Sequence, residues 1–178
     1  MKKFVFVAVL AIILAVGAFA EHPSGWGIGV VGQYNWEWDG FYGAGGAALA
    51  LKAPQYPIFW GINARLGLSY FNAGVTGDYY IVEGTIIDSL NFCWYVGLGG
   101  YANFYSHFNN YNSNNNYTGV GLGARVPGGV YIMPLSFIEV FMDLAPSLGL
   151  GLKFRNSKVT PYFPSGSLGF DIGVRFWL

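Results

Sequence analysis

Charge is what this sequence has least of. Asp, Glu, Lys and Arg make up 10% of its 178 residues, against about 25% in an ordinary soluble domain. The folded chain therefore has little with which to face water. Nine cations and nine acids cancel, and no basic patch stands out, which argues against a nucleic-acid partner. Cys93 is the one cysteine, so no intramolecular disulfide framework exists. Histidine is nearly absent too: His22 and His107 are the only two. With so few ligand and base types, no catalytic triad, metal site or cofactor is expected. Beyond residue 20 there is also no apolar run near the ~20 residues that a membrane-spanning helix needs.

What is abundant is aromatic and small. Phe, Trp and Tyr reach 19%, and there are 27 glycines. The chain opens MKKFVFVAVLAIILAVGAFA, where Lys2 and Lys3 precede an apolar Phe4–Val16 stretch and Ala18-Phe19-Ala20 forms an A-x-A site. That order reads as a secretory signal, cleaved after residue 20. No cysteine follows the site, so a bacterial lipoprotein is excluded. Residues 21–178 then form one domain, in which seven cations face nine acids once Lys2 and Lys3 are gone.

The stretch GIGVVG at 27–32 fits G-x-G-x-x-G, and GVGLGA at 119–124 nearly repeats it. A dinucleotide turn needs a strand before it and a helix after it. Here QYNWEWDG follows the first copy and Arg125-Val126-Pro127 the second, neither with a helical period. The glycines belong instead to a two-residue period. In IFWGINARLGLSY, residues 58–70, the even positions are Ile58, Trp60, Ile62, Ala64, Leu66, Leu68 and Tyr70, and the odd ones are small or polar after Phe59. That is a long β-strand with one apolar face. The alternation recurs over about 26–36, 74–83, 89–105, 118–131, 137–150 and 166–178, and a Gly- and Ala-rich segment at 41–52, whose facing stays ambiguous, makes eight.

The charges decide which face points out. Arg65, Arg125, Glu139, Asp143, Asp171 and Arg175 all fall on the small face, opposite nearly continuous apolar surface. A soluble barrel would turn that poorly charged face to water. A membrane barrel turns the apolar face to lipid and the charges inward. The fold class expected is therefore all-β, an eight-stranded antiparallel up-and-down transmembrane β-barrel. Short turns are expected at 53–57, 84–88 and 132–136. Outer loops are expected at about 37–40, 71–73, 106–117 and 151–165, the last two being long.

The chain ends DIGVRFWL, and Gly173, Phe176 and Leu178 match the C-terminal signal that the barrel-assembly machinery reads, with Leu in place of the usual Phe. The whole of 21–178 resembles small eight-stranded outer-membrane barrels of the OmpA-transmembrane-domain and OmpX type. GARVPGGVYIMPLSFIEVFMDLAPSLGLGL and GFDIGVRFWL more narrowly resemble a family of small outer-membrane barrels from spirochaetes. The resemblance implies a monomeric, non-enzymatic protein of the bacterial cell surface, with outer-membrane lipid as its surroundings.

Three sets of residues are candidates for function. The six inward charges should form a lumen network, with Glu139 and Arg175 at one height, and Arg65, Arg125, Asp143 and Asp171 about two inward positions higher. Asp143 and Asp171 require an arginine between them. In an interior only wide enough for side chains, such a network is a plug. The alternative is a narrow, porin-like pore, or an OmpW-like transporter of small or apolar solutes. The second set lies in the outer loops: His107, Asn109, Tyr111, Asn114 and Tyr117 in an Asn- and Tyr-rich loop, and Lys153, Arg155 and Lys158 with no acid among them. Such residues suit an extracellular ligand. The third is a lipid-modifying enzyme built on His107 and the adjacent Ser106, although neighbours in a strand point to opposite faces. Cys93 faces inward as a small packing residue.

Overall fold

The computed structural model describes residues 22–38, 43–67, 70–108, 116–155 and 157–178, so the expected signal at 1–20 lies outside the described residues. The strands are β1 (Gly27–Glu37), β2 (Gly43–Lys52), β3 (Phe59–Gly67), β4 (Tyr70–Ile87), β5 (Phe92–His107), β6 (Tyr117–Arg125), β7 (Gly128–Leu135), β8 (Ile138–Arg155), β9 (Lys158–Ser165) and β10 (Ser167–Trp177). All neighbours are antiparallel, and β10 returns to β1, paired from Gly27↔Trp177 to Glu37↔Ser167. The sheet is closed.

These ten segments make eight staves. β6 and β7 both lie between β5 and β8 in one continuous register, parted at Val126-Pro127, where proline has no amide to give. β9 and β10 likewise share β8 as a neighbour. They part at Gly166, whose φ of +142° is open only to glycine, and where an added Cβ would meet the Ser147 carbonyl.

The alternation of the sequence becomes the two faces of the wall. Leu66, Leu122 and Leu150 stand outside, 69%, 68% and 68% exposed, while Arg175 and Glu139 on the inner face are 3% and 1% exposed. An apolar exterior around a charged interior inverts the order of a soluble protein and is what lipid requires. The facing of β2 is settled as well: Ala44, Ala48 and Ala50 are buried in the lumen, and Leu49 lies outside. A small apolar cluster of Val31, Ala48, Ala50, Cys93, Tyr95, Tyr131 and Phe141 fills part of the interior.

Four expected connections differ. The turn placed at 132–136 shrinks to Ser136-Phe137, because β7 runs to Leu135. Residues 71–73 lie inside β4, which starts at Tyr70. The turn placed at 84–88 is displaced, because β4 runs to Ile87 and a short 3-10 turn, Asp88–Leu90, follows. The long loop placed at 151–165 is a β-hairpin: β8 runs to Arg155 and β9 starts at Lys158, opposite it. Its residues, LGLGLKFR before the turn and KVTPYFPS after it, stay in paired strand up to the turn.

Candidate functional site

The lumen carries its charges in three tiers, and the lower two begin from register pairs. At the short-turn end, Arg175 of β10 faces Glu139 of β8. Arg175 Nη1 donates to Glu139 Oε1 at 2.6 Å, and Trp177 Nε1 donates to Glu139 Oε2 at 2.8 Å. The Arg175 guanidinium also lies 4.7 Å from the ring centroids of both Phe59 and Phe141, a distance at which ring faces attract a cation. His22, ahead of the first strand, turns into this mouth. Its Nδ1 is 2.7 Å from Glu83 Oε2 and its Nε2 is 3.5 Å from Glu139 Oε1. Its ring lies 4.1 Å from that of Tyr131 and 5.0 Å from that of Phe59. Burial by itself lowers the His22 pKa, but the neighbouring Glu139 and Glu83 carboxylates outweigh it and raise the pKa above 6.5.

In the middle tier Asp171 and Asp143 are direct cross-strand neighbours. Arg125 of β6 stands between them: its Nη2 is 3.4 Å from Asp171 Oδ2 and 4.0 Å from Asp143 Oδ1, and its Nε is 3.3 Å from Asp78 Oδ1. Tyr95 donates its hydroxyl proton to Asp143 Oδ2 at 2.7 Å. One guanidinium thus holds three carboxylates, spread around its planar fork.

Arg65 belongs to neither tier. The sequence grouped it with Arg125, but its Nη1 lies 3.6 Å from Glu37 Oε1, higher in the lumen. Arg65 Nη2 also reaches Asn63 Oδ1 at 3.5 Å, and Tyr70 donates to Glu37 Oε1 at 3.3 Å. The grouping failed because inward position along a strand does not fix height in a tilted, staggered barrel.

Glycine makes room for these side chains. Gly99 lies opposite Asp78, Gly129 opposite Asp143, and Gly46 opposite Arg65. A Cβ at any of them would collide with its charged partner. Gly27, the first glycine of GIGVVG, does the same for Arg175, whose Cδ would lie 2.8 Å from an added Cβ. Between the tiers the interior retains cavities of only about 30 and 40 Å³, lined by Arg65, Arg125, Asp143, Asp171 and Arg175 among others.

At the hairpin end, Lys153 Nζ sits over Tyr162 at 4.2 Å and over Tyr117 at 5.1 Å, and His107 stacks on Tyr117 at 5.2 Å. Arg155 and Lys158 face each other across the hairpin tip, both exposed. Asn109, Tyr111 and Asn114 lie outside the described residues. Ser106 and His107 take opposite faces of β5 and are not brought together. Gly173 packs beneath the Phe141 ring, while Phe176 and Leu178 point outward, 47% and 80% exposed.

Among charged and histidine side chains of the lumen, sequence reasoning missed His22, Glu37, Lys52, Asp78 and Glu83, with Lys52 lost to the ambiguous facing of 41–52. Asp78 was legible, since Thr76, Asp78 and Tyr80 alternate with Val75, Gly77 and Tyr79. Glu83 was not, because the register shift at Tyr80/Val82 breaks the alternation of β4 and returns an odd-numbered residue to the lumen. His22 precedes any strand and Glu37 ends one, so neither carries a period.

No protein-family model and no curated protein sequence matches the chain. Solved structures with a similar barrel include the N-terminal β-barrel domain of Pseudomonas aeruginosa OprF, 12% identical, covering 84% of this chain and 96% of that one at a TM-score of 0.48. Neisserial surface protein A is 12% identical, with 86% and 97% covered and a TM-score of 0.47. A major outer membrane protein from Thermus thermophilus is 14% identical, with 86% and 99% covered and a TM-score of 0.43.

Proposed function

We propose that this protein is an integral outer-membrane barrel with a plugged, non-conducting lumen, whose role is to hold its outer loops and its β8–β9 hairpin at the cell surface. The observation that carries this reading is the middle tier. Arg125 reaches across the interior to Asp78, Asp143 and Asp171, and the cavities beside it, about 30 and 40 Å³, hold about one water each. An ion in transit would have to part a buried guanidinium from its carboxylates. Residues 1–20 act as an export signal in this reading, and N-terminal sequencing of the membrane-extracted protein should begin at Glu21. The deciding experiment is single-channel recording of the refolded protein in a planar bilayer. Silence from protein shown to be folded supports the plug, and discrete openings overturn it in favour of a pore.

A further inference from the structure

The outer wall of a small barrel is convex, yet one face of this one is hollow. Near the hairpin end, the outward side chains of β4, β5, β6, β8 and β9 border a groove of about 850 Å³. Its edges are apolar: Phe104, Leu122, Leu150 and Phe163 stand around it. Its floor is low at Ala102, which pairs with Val75 across β4–β5 and lies between Phe104 and the longer Leu122. Small residues flanked by bulky ones leave a trough in the lipid-facing surface, of a size that ordinarily holds a ligand.

The register shows what lies at the top of it. Outward tiers cross β5, β6 and β8 as Ala102↔Leu122↔Leu150, then Phe104↔Val120↔Leu152, then Ser106↔Thr118↔Phe154. Each step is two residues, about 6.6 Å along a strand. The first two tiers are wholly apolar and the third brings two hydroxyls. That third tier borders a separate cavity of about 250 Å³, also lined by His107, Asn116 and Arg155. The β8–β9 hairpin beside it carries Lys153, Arg155 and Lys158 and no carboxylate. Lys153 and Arg155 alternate with the outward Leu152 and Phe154 along β8, and at the rim Arg155 reaches the cavity that the hydroxyl tier borders.

We infer that this face holds one phosphate-bearing lipid of the outer leaflet, its acyl chain in the trough and its phosphate at Arg155, with the half-buried Thr118 as a hydroxyl donor. Charge complementarity selects the headgroup, since an anionic oxygen gains from a guanidinium what a zwitterion must share with its own ammonium. The trough selects for a bound rather than a passing lipid, because it gives a chain contact on several sides where the rest of the wall gives one. The site is on the exterior, so it stands whether or not the lumen conducts.

Native mass spectrometry of the detergent-solubilised, full-length mature barrel tests it, with phosphatidylglycerol and phosphatidylcholine of identical chains as probes. We expect one phosphatidylglycerol retained per barrel, with about tenfold preference over phosphatidylcholine, a ratio that corresponds to about 1.4 kcal/mol. Ala102→Trp fills the trough floor and Arg155→Gln removes the cation; each should reduce retention at least about fivefold. Ile172→Trp, outward on β10 and far from the groove, should retain the lipid as the wild type does. All three variants change exterior or rim residues, and heat-modifiable gel migration confirms that each is folded. Inorganic phosphate in excess should not displace the lipid, because it has no chain. Equal retention of both lipids, retention unchanged in Ala102→Trp, or displacement by free phosphate would each overturn the proposal.

Discussion

Glu139→Gln is the perturbation that tests the lumen network most sharply. Glu139 is 1% exposed and accepts from Arg175 at 2.6 Å and from the Trp177 indole at 2.8 Å. Glutamine keeps the shape and one acceptor oxygen but removes the charge, so Arg175, itself 3% exposed, loses its only close carboxylate among the described residues. Stranding one member of a buried pair costs roughly 3–5 kcal/mol, most of it the unmatched charge that remains. At a slope of about 2 kcal/mol per molar urea, the unfolding midpoint should fall by about 2 M. The assay is equilibrium urea unfolding of the barrel in lipid vesicles, followed by tryptophan emission and by the gel shift of the folded form. A second variant separates charge from packing. Glu139→Leu combined with Arg175→Met removes both charges, and a buried pair replaced by apolar groups is often neutral, so the double variant should be more stable than Glu139→Gln alone. A midpoint for Glu139→Gln within about 0.5 M of wild type, or a double variant no better than the single, would refute the view that these charges are buried and mutually dependent.

Three further outcomes follow from the same geometry. Arg125→Lys should cost nearly as much as Arg125→Gln, about 3–5 kcal/mol by urea unfolding, because a point-like ammonium cannot span three carboxylates as a guanidinium does. Gly99→Val should abolish refolding by gel shift, since its side chain would occupy the place of the Asp78 carboxylate, whereas Gly100→Val, facing lipid with nothing closer than 3.5 Å to its Cβ position, should refold normally. The His22 contact should make the barrel more stable in mild acid: its pKa is raised in the folded state, so its contribution is fully present below about pH 6.5 and fades as pH rises through the folded value. Urea midpoints at pH 6 and pH 9 should therefore differ more in the wild type than in His22→Ala.

The strands were legible because their signal is local: all but the Gly- and Ala-rich 41–52 segment alternate over eight or more residues, and one apolar face is enough to set the facing of Trp60 or Leu122. The inward charges were legible for the same reason, as the few departures from small residues on the opposite face. What the alternation could not supply was height. Asp143 and Asp171 are direct neighbours and Arg65 is elsewhere, and only the stagger of all eight staves decides that. Nor could it cross an irregularity. The register shift of β4 hid Glu83, and Lys153 to Tyr162 looked like loop because a proline and a basic turn interrupt what is in fact paired strand.

The scarcity of charge and the abundance of glycine are then one fact. In a barrel of eight staves the interior has room for side chains and little else, so a long charged residue on one strand demands a missing side chain on the next. Gly99 answers Asp78, Gly129 answers Asp143 and Gly46 answers Arg65 across direct register pairs. Such pairings also work against every wrong register. Slipping one strand by a residue would turn its charge into lipid, at roughly 2–4 kcal/mol for an arginine near the midplane, and would set a Cβ against the charge on its neighbour. The charges can therefore specify the closed barrel, β10 against β1 included, without ever serving a solute. On the proposed reading, an interior committed to fixing its own register leaves the outer wall and the outer loops as the surfaces where a partner would be sought.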